Sequence, residues 1–161
     1  MKWQDLAQQP CSVARTLAVI GDRWTLMILR DLFLGANRFE HFQQSLGIPR
    51  TTLSERLRLL EREGVLRKLP YQEKPTRYKY RLTAKGVDLY PVLITLVQWG
   101  DKYYAGEAGP PVVHHHKRCG HDFSAVLTCS ECNDAISPFE TEPRSGADYP
   151  GLLEQRANIK A

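Results

Sequence analysis

The chain has 161 residues, of which 42% are hydrophobic, and a formal net charge of +4. That suffices for one proper core and one small appendage, and no apolar run approaches the roughly 20 residues needed to span a bilayer. The opening MKWQDLAQQP lacks the apolar stretch of a secretory signal, so a cytoplasmic location is expected, with the four cysteines as thiols or metal ligands rather than structural disulfides.

In chain order, Cys11 to Ile20 predicts a first helix with Val13, Leu17 and Ile20 inward. Trp24, Met27, Ile28 and Leu32 mark a second helix, joined to the first by the loop VIGDR. From Arg38 the pattern sharpens. Phe39, Phe42 and Leu46 fall at helical spacing, Gly47 can turn the chain, and Leu53, Leu57 and Leu60 restart the period. Two short helices thus share one apolar seam, as in a helix-turn-helix. Pro49 suits a first turn, Thr51 or Thr52 can cap, and Gly64 closes the second helix in the manner of a left-handed residue.

With the leucines inward, Arg50, Thr51, Ser54, Glu55 and Arg58 lie on or near the outward face, with Thr52 beside them. A recognition helix enters the major groove with its N-terminal residues nearest the bases. Arginine matches the guanine edge bidentately, and Ser or Thr serves bases or phosphates. The competing reading is a solvated face laced by Glu55, Glu61 and Glu63 with Arg58 and Arg62. The segment after Gly64 favours DNA. Val65 to Leu69 and Tyr78 to Leu82 read as strands around the loop PYQEKPT, and Lys68, Lys74, Arg77, Lys79 and Arg81 make this hairpin basic. A basic hairpin beside a helix-turn-helix is a wing for backbone or minor-groove contact. Residues 38–81 hold eight Arg and three Lys against five Glu, whereas residues 107–161 hold five basic and eight acidic residues. Phosphate binding is therefore expected to be localised, with Arg38 at its edge.

Thr83 can cap a long helix with Leu89, Val92, Leu93, Leu96, Trp99 and Tyr103 on one stripe, which Pro91 bends or restarts. This stripe and the first helix are expected to form a homodimer interface, since paired half-sites are commonly read by two-fold symmetric proteins.

These residues carry a resemblance. Ile20-Gly21-Asp22-Arg23-Trp24, Ile28-Leu29-Arg30-Asp31-Leu32, Gly35, Arg38-Phe39, Gly47-Ile48, Leu53, Arg56-Leu57, Leu60-Glu61, Gly64 and Leu82-Thr83-Ala84-Lys85-Gly86 resemble the HxlR family of bacterial transcriptional regulators over about residues 11–106. The resemblance implies a MarR-like winged-helix homodimer on double-stranded DNA, at a near-palindromic operator. Lys79-Tyr80 stands where the family often has a glutamate before the aromatic residue, which makes this wing more basic. Cys11 resembles in position the N-terminal cysteine some members use to sense oxidants or electrophiles, although Ser12 follows it in place of the frequent proline.

The last third holds a separate constellation. His116-Lys117-Arg118-Cys119 and Cys129-Ser130-Glu131-Cys132 are two pairs in which a tight turn can aim both donors at one ion, a Cys3His set suited to structural zinc. His114, His115 or His121 could replace His116. Three alternatives to a regulator are a zinc hydrolase or deaminase, a thiol enzyme using Cys11 or Cys119, and a protein-interaction adaptor. The deaminase pattern is incomplete, with Thr128 before Cys129 and no His-x-Glu. The expected organisation is mainly α with a small β-hairpin wing: a DNA-binding and dimerisation domain at 1–106, a zinc-ribbon-like module at 107–137, and a loose polar tail at 138–161 ending in a short helix from Tyr149 or Leu152.

Overall fold

A computed structural model describes residues 3–147 together with 149, 151 and 153. The chain divides into two compact units between Val112 and Val113. In the first, a 3-10 helix at Trp3–Gln8 precedes α1 (Ser12–Ile20), α2 (Arg23–Phe33), α3 (Phe39–Leu46) and α4 (Arg50–Arg62). The strands β1 (Leu66–Gln72) and β2 (Arg77–Leu82) then form an antiparallel hairpin, followed by α5 (Ala84–Val87) and α6 (Tyr90–Tyr104). This is a winged helix-turn-helix.

Asp22 starts α2. Its carboxylate accepts the backbone N–H of Trp24 at 3.0 Å and of Thr25 at 3.3 Å, satisfying two of the donors a helix start leaves open. Ile28 and Leu29 of α2, Phe42 of α3, and Leu53 and Leu60 of α4 are fully buried. Burying each such side chain contributes roughly 1.5–3 kcal/mol, which is what clamps the three helices together. The first helix departs from expectation: Ile20 is buried, but Val13 and Leu17 are 66% and 42% exposed.

The turn between α3 and α4 uses Gly47 at φ 60, a left-handed cap that an L side chain would adopt only under strain. Ile48 after it plugs the core. Pro49 takes the cap position of α4 itself, and no side chain caps the helix. Thr51 and Thr52 fall inside its first turn, past the position from which a hydroxyl caps.

The hairpin pairs Leu66 with Leu82, Lys68 with Tyr80 and Pro70 with Tyr78. Its strands outrun the expected Val65–Leu69 and Tyr78–Leu82. β1 continues through Pro70 because it is an outer edge strand, where proline's missing N–H can face solvent, and the ladder is irregular between Pro70 and Gln72, so that Tyr71 is absorbed in a bulge. On its other side β2 is stitched to the segment before α3. Arg38 bridges Lys79, and the Tyr80 N–H donates to the Asn37 carbonyl at 2.7 Å.

Thr83 caps only the short α5: its hydroxyl donates to the Gly64 carbonyl at 2.6 Å and accepts the Gly86 N–H at 3.2 Å. The chain turns at Asp88 and Leu89, and α6 restarts with Pro91 in its first turn. The expected long helix is therefore two. Val92, Leu96, Trp99 and Tyr103 of α6 are exposed, and the Trp99 ring lies 5.5 Å from that of Tyr103.

The second unit is built from turns. β3 (His115–His116) pairs with β4 (His121–Asp122), and Thr128 bridges Ala135. None of its described residues is buried. The terminal helix expected from Tyr149 or Leu152 lies mostly outside the described residues. Among the described residues, no helix is long and apolar enough to cross a membrane.

Candidate nucleic-acid interface

The α4 helix, 13 residues long, spans about 20 Å at 1.5 Å per residue, long enough to lie in a groove. Burial of Leu53, Leu57 and Leu60 leaves Arg50, Thr51, Glu55 and Arg58 exposed, with Thr52 and Ser54 half-buried at the edges of the same face. The six expected readers thus share one side of one helix.

Their states differ. The Arg50 guanidinium donates to Gln43 Oε1 at 3.2 Å and sits 5.1 Å from the Phe39 ring centre. α3 therefore orients Arg50, a partnership that spacing alone did not expose. Arg58 takes part in no ion pair among the described residues, whereas Arg62 pairs with Glu63 at 3.4 Å. The salt-bridge lacing of Arg58 that a purely solvated face would have is absent there. Instead Arg58 lines a pocket of about 130 Å³ with Phe39, Ser54, Glu61, Lys68 and Tyr80. Burial pushes the Tyr80 phenol above its ordinary range, Glu61 and Glu40 add to this, and Arg58 opposes it. Its hydroxyl stays a donor beside the reading face.

A second anchor fixes the helix. Arg56 Nε lies 3.2 Å from Asp22 Oδ1, so the carboxylate that starts α2 also holds α4. The contact is an ion pair without hydrogen-bond alignment, and both side chains are partly exposed, so it orients more than it stabilises.

In the wing, residues directly opposite share a face. Leu66, Leu82 and Tyr80 face the core, and Lys68 on that face lies 3.9 Å from the Tyr78 ring centre. The other face carries Arg67 opposite Arg81 and Leu69 opposite Lys79. Arg38, bridged to Lys79, stacks 4.6 Å from the Tyr71 ring centre. Lys74 and Arg77 are exposed at the tip and at the start of β2. Sequence reasoning overlooked Arg67; only the register reveals that it faces Arg81. Like charges set opposite one another cost up to about 1 kcal/mol, and a polyanion relieves that cost.

Cys11 is the half-buried residue preceding α1; its carbonyl accepts the Arg15 N–H at 3.0 Å, and its side chain does not cap the helix. Among the described residues no disulfide links the four cysteines. The metal candidates are brought together two by two: His116 Nδ1 lies 3.1 Å from Cys119 Sγ, and the Cys129 thiol is pulled down by hydrogen bonds from the backbone amides of Cys132 and Glu131 and from the Cys132 side chain. No group of three or more His, Cys, Asp or Glu converges as a ready metal cage among the described residues.

Comparison with known proteins agrees with this geometry. Residues 19–108 match the model of the HxlR-like helix-turn-helix family. An uncharacterised HTH-type transcriptional regulator of Mycobacterium bovis, Mb3122, is 42% identical over 142 residues, covering 88% of this chain and 90% of that one. A match of that length reaches into the second unit. The crystal structure of PA1607, described as a candidate transcription factor, superposes with a TM-score of 0.77 at 34% identity, over 87% of this chain and 98% of that one. The oxidised form of the redox regulator HypR superposes with a TM-score of 0.53 at 31% identity, over 57% of this chain and 96% of that one.

Proposed function

The chain belongs to the HxlR-like helix-turn-helix family, and from that premise we propose that it is a transcriptional regulator that binds a near-palindromic operator as a homodimer and responds to thiol-reactive signals. The observation that carries the DNA reading is the joint geometry of α4 and the wing. An exposed α4 face bearing Arg50 and Thr51 at its start and Arg58 about two turns on lies beside a hairpin whose outward face carries Arg67, Lys79 and Arg81. The helix supplies base contacts and the wing supplies position on the backbone.

The homodimer reading rests on exposed apolar surface. Val13 and Leu17 of α1 and Val92, Leu96, Trp99 and Tyr103 of α6 are open to solvent, an amount of exposed large apolar side chain that marks an association surface. Two copies joined there present two α4 helices, and two-fold symmetry of the protein requires two-fold symmetry of the site. The thiol response rests on Cys11 at the start of α1, one of the two helices of that surface, and on the likeness to HypR.

The test is a genome-wide binding profile followed by gel shift on the enriched sequences. Enriched sites sharing an inverted repeat, shifted in preference to a scrambled duplex, are expected. A profile without enrichment and a shift indifferent to sequence would remove the reading.

A further inference from the structure

The second unit is compact yet has no buried residue among those described, so hydrophobic burial does not hold it together. What it has instead is one backbone device used twice. At His116–Gly120 the Gly120 N–H donates to the His116 carbonyl at 2.9 Å, and Gly120 has φ 74. At Cys129–Asn133 the Asn133 N–H donates to the Cys129 carbonyl at 2.9 Å, and Asn133 has φ 63. Asn133 is the one non-glycine residue with positive φ among the described residues, a conformation asparagine tolerates better than most side chains. Each loop returns to pair with its own entry, His116 with His121 and Thr128 with Ala135.

In both loops the first and fourth residues carry soft or borderline metal donors, an imidazole and a thiol in one and two thiols in the other. His116 Nδ1 and Cys119 Sγ are 3.1 Å apart. Two ligands of a tetrahedral zinc, at ~2.1 and ~2.3 Å from the ion, are about 3.6 Å apart, so this pair needs to open by only about half an ångström to grip the metal. The structure also separates His116 from its neighbours. His115 Nδ1 is engaged by Asp122 at 3.0 Å, and His114, which like His116 lies edge-on to Phe123, has its Nε2 enclosed.

We propose that the two loops are the jaws of one structural zinc site, with ligands His116 Nδ1, Cys119, Cys129 and Cys132, and that the ion supplies a cross-link where none of the described residues is buried. The donors stand as two preformed pairs and the metal brings the pairs together, so its binding energy is folding energy for this unit. Binding releases the three thiol protons to solvent, leaving Zn²⁺ with three thiolates and a neutral imidazole. Four protein ligands leave no open position for water, so the site is structural. The zinc ligands and the DNA-reading residues have no member in common, so either role stands without the other.

The experiment uses the untagged full chain, reduced and purified without chelators or immobilised metal. Zinc by mass spectrometry is expected at one per chain, and titration of stripped protein with Co²⁺ is expected to give the intense visible bands of a tetrahedral thiolate site. Cys119→Ser and Cys129→Ser are each expected to weaken metal binding at least about 100-fold, whereas Cys11→Ser and His121→Ala keep one ion per chain. Chelation is expected to expose residues 113–137 to protease while the first unit persists. Wild-type protein that takes up neither Zn²⁺ nor Co²⁺ overturns the site. So does metal retained by Cys119→Ser but lost by Cys129→Ser, which would reduce it to one dithiol, and so does a Cys129–Cys132 disulfide in freshly isolated protein.

Discussion

The backbone of Gly86 lies directly against the carbonyl oxygen of Val65, so closely that a Cβ on Gly86 would overlap it and press on the Leu82 side chain. This contact joins α5, just after the wing, to the residue that leads from α4 into β1, and Thr83 reinforces it through the Gly64 carbonyl. Gly86→Ala is therefore expected to destabilise the first unit by about 1–3 kcal/mol, the cost of overpacking a close approach. Thermal unfolding measures it, and an unchanged midpoint would mean the backbone gives way there freely.

Arg58 stands on the reading face without an ion-pair partner among the described residues. Arg58→Ala should weaken operator binding by about 1–3 kcal/mol, and binding to random duplex by much less. Titrations against both duplexes decide. Equal losses would make Arg58 a phosphate contact.

Lys79 lies on the wing's outward face, bridged to Arg38. Lys79→Glu is expected to weaken random-duplex binding and to make the salt dependence shallower by about one unit of slope. An affinity and slope like the wild type's would remove Lys79 from the interface.

Trp99 is 57% exposed, in the middle of the apolar stripe on α6. A charge there opposes burial against a second copy, so Trp99→Glu should sediment as a monomer where the wild type sediments as a dimer. Operator affinity should fall about tenfold or more once the second half-site is no longer tethered. A wild type that is monomeric at micromolar concentration would refute the dimer.

Cys11 is the proposed sensor. Diamide or an aldehyde should change DNA binding by the wild type and leave Cys11→Ser unaffected. Matching responses from the two proteins would exclude it.

The helix-turn-helix was legible because burial imposes periodicity. Phe42, Leu53 and Leu60 recur at helical spacing and are all fully buried, and Gly47 adopts the left-handed conformation its place in the turn demanded. Where an outcome depended on a partner, the pattern was insufficient. Val13 and Leu17 read as inward on periodicity, but whether an apolar face is covered depends on what lies opposite. Pro70 read as part of the loop PYQEKPT, although an edge strand tolerates it. The tie of Arg50 to Gln43 and the confrontation of Arg67 with Arg81 depend on tertiary placement and strand register, neither of which residue types reveal. The Cys and His spacing singled out the two loops, but not their twin backbone geometry.

The opposition of Arg67 and Arg81 gives the wing a built-in preference for company. In the free protein, added salt is expected to screen the two facing guanidinium groups and so to favour the hairpin. In the proposed complex the phosphates act as its counterions, and the same salt competes with them. With the wing on DNA as proposed, this pair of guanidinium groups is expected to make the free and bound forms answer ionic strength in opposite directions.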